Sequence, residues 1–172
     1  MSKLALSVIL PVFNEAENLE PLTKDLLSAL EETGRSHEII FVDDGSTDET
    51  RLALNELSVQ YPNTKGLALS RIFGHQIAVT AGMDAADGNA VVVIDADLQD
   101  PPEIIPKMVE RWLTGVDVVY AVRASREGES RFKLFSAKLF YWLIGAVSET
   151  EIPHDTGDFR LMDRKVVEAL SK

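Results

Sequence analysis

Short apolar runs recur along the chain at nearly even intervals: LALSVIL (4–10), EIIFV (38–42), KGLAL (65–69), AVVVI (90–94) and DVVYAV (117–122). Between them the apolar period changes from that of a strand to that of a helix. Leu19, Leu22, Leu26 and Leu30 follow helical spacing, and Gly34 stands where a C-terminal cap belongs. Asn14 with Glu17, and Ser46 with Glu49, read as capping boxes, the second opening a helix that runs to about Val59. Pro21 sets the start of the first regular helix a few residues beyond Asn14. Residues 75–86 and 103–114 supply two further helices, and another begins near Met162. Strands that are apolar almost throughout, alternating with helices, predict an α/β fold. Its sheet is mostly parallel with helices on both faces, and residues 1–172 form one domain. Right-handed crossovers then bring the C-terminal strand ends to one edge, where open α/β sheets bind ligands.

The loops on that edge are acidic. PVFNE follows the first strand, DDGSTDE the second and DADLQDPPE the fourth. None of the ten glycines forms a G-x-G pair and no G-K-[ST] occurs, so the dinucleotide fingerprint and the P-loop are both excluded. With a net charge of −11, nucleic acid is not an expected partner, and an anion is held only by a local basic patch or a bound metal. Asp95 and Asp97 suit the metal. Side chains at i and i+2 of a strand point the same way, and hard cations such as Mg2+ or Mn2+ take carboxylates together with substrate phosphates. The competing reading of a lone D-x-D is a capping aspartate in a solvated loop. Asp43 and Asp44 can serve turn chemistry or read a base or ribose. With no cysteine in the chain, disulfides, thiolate zinc sites and thiol nucleophiles are excluded. His37, His75 and His154 show no metal spacing; His75, after Gly74, reads as a helix cap or a phosphate contact. Arg71 ends the third strand and either points at the ligand edge or pairs with a carboxylate.

Taken together, SVILPVFNEAENL, IIFVDDGSTDET, LSRIFGHQIAVTAGMDAADG, VVVIDADLQDPPE and DTGDFRLMDR resemble the GT-A family 2 glycosyltransferases. More narrowly, the chain resembles the polyprenyl-phosphate glycosyltransferases, a group that includes bacterial undecaprenyl-phosphate glucosyltransferases and dolichyl-phosphate mannose synthase. DADLQDPPE is closer to the bacterial UDP-sugar branch. The resemblance implies a nucleotide pocket lined by Pro11, Val12, Asn14 and Glu15, with Asp43 or Asp44 on the base. It implies that Asp95 and Ala96 contact the nucleotide sugar, and that Asp97 and Gln99, assisted by Asp95, hold the metal. Arg123 meets donor phosphate, Arg131 meets acceptor phosphate, and Asp158 and Arg160 close the site at the reacting carbon. The implied reaction is inverting transfer of a hexose from a UDP-sugar to a polyprenyl phosphate. Cleaving the sugar–phosphate bond leaves new negative charge on the diphosphate, which a metal and arginines stabilise. A polyprenyl phosphate is already ionised and attacks without a strong base, whereas a hydroxyl acceptor makes Asp158 the natural base.

RFKLFSAKLFYWLIGAV (131–147) reads as a helix whose second half is apolar nearly all round, with Arg131, Lys133 and Lys138 among its aromatic residues. That composition suits a membrane-interface helix, and burial against a second subunit is the alternative. The longest apolar run, Leu139 to Val147, is too short to span a bilayer. Relatives in the resembled family continue into transmembrane helices, so the expectation is a C-terminally shortened catalytic portion working at the cytoplasmic face of the cell membrane. Other readings of the acidic edge are weaker. A haloacid-dehalogenase-type phosphatase expects Thr or Val where Gln99 stands, and a signalling receiver wants its acidic pair after the first strand. A non-catalytic nucleotide-sugar-binding fragment remains the third reading.

Overall fold

A computed structural model describes residues 5–122 and 156–170 of the protein. Arg123, Arg131, His154 and the segment 131–147, expected from the sequence to be a helix, lie outside the described residues. The chain divides into two compact units, Met1–Tyr120 with Asp158–Lys172, and Ala121–Gly157. The first carries nearly all of the sheet and the helices that cover it.

The elements run β1 (Leu6–Val12), α1 (Ala16–Glu32), β2 (His37–Asp43), α2 (Thr50–Gln60), β3 (Thr64–Ala68), α3 (His75–Ala85) and β4 (Ala90–Val93). A 3-10 turn (Pro102–Ile104) leads into α4 (Ile105–Leu113), followed by β5 (Val118–Val122), β6 (Thr156–Asp163) and α5 (Arg164–Leu170). The sheet has the order β3-β2-β1-β4-β6-β5. β1 pairs in parallel with β2 and β4, and β2 with β3. β6 pairs antiparallel with β4, from Ala90↔Asp163 to Val93↔Arg160.

Both faces of the sheet are covered because neighbouring strand residues point to opposite sides. Ile9, Ile40, Val42, Val91 and Val93 pack with Ala78, Val79 and Met83 of α3 and Val167 of α5. Gly82 makes that approach possible, since a β-carbon there would lie 2.4 Å from Ile9 Cγ2. On the other face, Gly66 is the register partner of Phe41 and looks at Leu54 of α2, 3.6 Å from the position of a β-carbon. Burying Leu19, Leu22, Leu26 and Leu30 of α1 on this side contributes about 1.5–3 kcal/mol per side chain.

The edge opposite the acidic loops is closed by a buried carboxylate. Glu38 accepts from Ser7 Oγ (2.6 Å), Lys65 Nζ (2.6 Å) and the Asp87 N–H (2.9 Å). Burial pushes its carboxyl up, but these three donors together outweigh it and hold it below the usual carboxylate range.

Several local expectations are corrected. TGDFRLMD is a strand rather than the approach to a helix at Met162, and α5 begins at Arg164. Pro21 lies inside α1, which starts at Ala16. Neither capping box forms: Glu15 and Glu49 occupy the N-cap positions without side-chain caps. Asn14 and Ser46 are instead drawn into contacts between loops. Gly34, at φ 63°, does end α1, its N–H donating to Glu31 O at 3.0 Å.

Candidate functional site

Two of the loops at the C-terminal strand edge are laced together. Asn14 takes a left-handed conformation (φ 56°), its N–H donates to Ser46 Oγ (2.9 Å), and its Oδ1 accepts from the Thr47 N–H (2.8 Å). The Glu15 N–H donates to Thr50 Oγ1 at 2.9 Å. Asp43 and Asp44 then divide the work. Asp43 is fully buried; its Oδ1 accepts from the Ser46 N–H (2.8 Å) and its Oδ2 from Arg51 Nη2 (3.2 Å). Asp44 faces the cleft, and its two oxygens accept the N–H groups of Phe73 (2.7 Å) and Gly74 (2.8 Å). The β3–α3 loop is thereby fastened to the β2–α2 loop. Gly45 is required at their crossing, because at φ 76° a β-carbon would sit 2.7 Å from the Arg71 carbonyl carbon. Arg71 stacks its guanidinium over the Phe73 ring, 4.7 Å from the centroid, and so stiffens the same loop.

β4 delivers the acidic residues. The Ile94 N–H still bonds Ile9 O (3.1 Å), and Asp95, Ala96 and Asp97 emerge past the end of the strand. Asp97 Oδ1 accepts from the Gln99 N–H (3.0 Å) across a turn in which Leu98 has φ 60°. Pro102 opens the 3-10 turn, and Pro106 falls in the first turn of α4, where its missing N–H costs nothing. A cavity of about 340 Å³ lies at this edge. Of the residues singled out in the sequence, Pro11, Val12, Glu15, Asp44, Asp95, Ala96 and Asp97 line it together. Asn14 borders a neighbouring cleft with Asp48 and Glu49, Asp43 lies behind the wall, and Gln99 is not among the lining residues.

Phe13, Ile72 and His75 complete the lining. His75 carries more than a helix-start role, since its Nε2 lies 3.0 Å from Asp95 Oδ1 and its Nδ1 3.6 Å from Asp158 Oδ2. Asp158 Oδ1 in turn meets Arg160 Nη1 at 3.2 Å, as the i, i+2 spacing on β6 allows. Its place after Gly74 suggested a helix cap or a phosphate contact, but the two carboxylates it meets are distant in sequence and no local pattern named them. Among the described residues, no three His, Asp or Glu side chains cluster into a ready metal cage. Two carboxylates opening into one cleft fit a hard divalent cation that arrives with phosphate oxygens, the usual habit of Mg2+.

The sequence profile of Glycosyl transferase family 2 matches residues 7–171. The chain belongs to this family. It is 49% identical over 166 residues to an uncharacterized glycosyltransferase, YkcC, of Bacillus subtilis, covering 96% of this chain and 51% of that protein. It is 42% identical over 163 residues to the bactoprenol glucosyl transferase of Shigella phage SfV, covering 95% of this chain and 53% of that protein. The chain thus spans about half the length of the curated relatives it matches. Among solved structures, it resembles glucosyl-3-phosphoglycerate synthase of Mycobacterium tuberculosis in complex with Mn2+, UDP-glucose and phosphoglyceric acid. That match has a TM-score of 0.68 at 23% identity and covers 96% of this chain and 58% of the other. It also resembles the mannosyltransferase PcManGT of Pyrobaculum calidifontis in complex with GDP-Man and Mn2+, with a TM-score of 0.64 at 24% identity, over 99% of this chain and 47% of the other. These structural likenesses agree with the GT-A fold expected from the sequence. Among the described residues no helix is long and apolar enough to cross a membrane.

Proposed function

We propose that the protein transfers a hexose, glucose in the first instance, from a UDP-sugar to a polyprenyl phosphate at the cytoplasmic membrane face, with inversion and with a bound Mg2+ or Mn2+. The observation that carries this reading is the meeting of Asp95, Ala96 and Asp97 with Pro11, Val12, Glu15 and Asp44 around one cleft. The 42% identity to a bactoprenol glucosyl transferase supports the acceptor and the sugar.

In this reading Pro11, Val12 and Glu15 form the floor of the nucleotide pocket, with Asn14 holding the loop that shapes it. Asp44 faces the base, while Asp43, tied to Arg51, keeps that loop in place. Asp95 and Asp97, with Gln99 beside them, would hold the cation, which when bound would supply electrostatic stabilisation to the negative charge on the diphosphate. Asp158 and Arg160 stand on the acceptor side. An ionised acceptor phosphate needs no strong base, so Asp158 orients groups at the reacting carbon and Arg160 balances its charge. Arg123 and Arg131 are proposed to meet donor and acceptor phosphate, and 131–147 to lie at the membrane interface.

Glucose transfer from UDP-glucose to undecaprenyl phosphate in detergent micelles tests the reading, with a free sugar alcohol as competing acceptor. Lipid-linked glucose formed only with the phosphate acceptor supports it. Transfer to the hydroxyl acceptor alone points to a glycan-modifying enzyme. UDP-glucose binding without transfer to either points to a nucleotide-sugar-binding fragment.

A further inference from the structure

His75 stands where two carboxylates would otherwise face each other. The β4–β6 ladder runs antiparallel and its last pair is Val93↔Arg160. Asp158 lies two residues before Arg160 on β6, and Asp95 two residues beyond Val93, past the end of β4. Two carboxylates brought to one place disfavour each other's charge. The His75 ring, carried on the first turn of α3, lies between them, with Nε2 3.0 Å from Asp95 Oδ1 and Nδ1 3.6 Å from Asp158 Oδ2. A carboxylate only accepts, so Nε2–H is the donor to Asp95. The longer separation is outside hydrogen-bond range but places the ring edge against Asp158.

The backbone that carries His75 is itself held. Gly74 occupies the N-cap of α3 at φ 100°, and its N–H donates to Asp44 Oδ2 at 2.8 Å. Arg160 fixes the far side of Asp158 at 3.2 Å. The result is a line of contacts, Asp95–His75–Asp158–Arg160, that joins the end of β4 to β6 through a residue from α3.

We infer that His75 is a positioning residue for the proposed transfer, holding the donor-side Asp95 and the acceptor-side Asp158 in fixed relation to one another. The inference rests on the proposed glycosyl transfer. Its chemical basis is that carboxylates which bind a cation are themselves oriented by outer hydrogen bonds, and loss of such a partner typically costs about 10–100-fold in metal affinity or activity. His75 contacts the acceptor-side carboxylate as well, so it sets the distance between the two.

Two measurements on the whole chain test this. Without ligand, urea midpoints are taken for His75→Ala, Asp158→Asn and the double variant. Non-additive shifts are expected, with Asp158→Asn recovering part of the loss when His75 is absent; additive shifts overturn the inference. With ligand, calorimetry of UDP in the presence of Mn2+ is expected to show affinity about 10–100-fold weaker in His75→Ala. His75→Gln, which retains one donor for Asp95, is expected to recover much of that affinity. Wild-type affinity in His75→Ala overturns the inference whatever the midpoints show. If wild-type protein itself fails to bind UDP with Mn2+, the functional reading falls, and the midpoint cycle alone decides whether His75 holds the two carboxylates.

Discussion

Asp44 holds Gly74: a carboxylate oxygen at the end of β2 accepts the N–H of the residue that caps α3, at 2.8 Å. Its other oxygen accepts the Phe73 N–H at 2.7 Å, so the side chain that lines the cleft also sets the helix that carries His75. Asp44→Asn keeps one acceptor and turns an amide N–H toward a backbone donor. A destabilisation of about 1–3 kcal/mol is expected, the usual cost of leaving a buried polar group unsatisfied. Urea denaturation measures it, and faster amide exchange at Phe73 and Gly74 should accompany it.

Gly82 is expected to tolerate no side chain. A β-carbon would meet Ile9 Cγ2 at 2.4 Å and Val42 Cγ2 at 3.1 Å, pushing α3 off the sheet. Gly82→Ala should cost about 1–3 kcal/mol by overpacking, despite the better helix propensity of alanine. A rise in the denaturation midpoint would show that α3 has room to move.

Glu38 gives the protein an acid limb. Burial pushes its folded carboxyl up, but the Lys65, Ser7 and Asp87 donors outweigh burial and leave it depressed. A depressed carboxylate stabilises the fold above the unfolded value of about 4.3, and that stability is lost as pH falls through the lower folded value. Glu38→Gln should therefore be less stable than wild type near pH 7 by about 1–3 kcal/mol. The gap should narrow as the pH is taken below about 4. Denaturation midpoints measured across that range check both statements.

Asp158 separates binding from turnover. It contacts His75 and Arg160 but is not among the residues lining the cleft. Asp158→Ala is expected to leave UDP affinity near wild type and to lower glucose transfer by about 10²-fold, the cost of losing the alignment of the reacting groups. Calorimetry and a transfer assay on the same preparation compare the two.

Much of this architecture is legible in the residue pattern, and the reasons it fails where it does are physical. The parallel strands announce themselves because burial on both faces demands unbroken apolar runs such as AVVVI. Their shared C-terminal edge then follows from crossover handedness, which is why Asp44, Asp95 and Asp97 could be expected in one place. β6 is harder to read. Its buried Phe159 and Leu161 alternate with half-buried Asp158 and Arg160, a true period-two signal, but only four residues long and mixed with charge. Its place between β4 and β5 depends on a pairing with residues some seventy positions away. The capping boxes fail for a related reason: Asn14 and Ser46 find partners in each other's loops, and long-range contacts win over the local motif. His75 belongs to the same class, since its partners Asp95 and Asp158 are adjacent to it only in the folded chain.

The proposed chemistry stands or falls on Asp97 and Asp95 holding a cation which in turn holds a nucleoside diphosphate. Calorimetric titration of UDP into wild-type protein and Asp97→Ala, each with Mn2+ and with chelator, addresses that step. Mn2+-dependent UDP binding is expected in wild type and is expected to be lost in Asp97→Ala. Equal UDP affinity in the two proteins, or binding in wild type that chelator leaves unchanged, would contradict it.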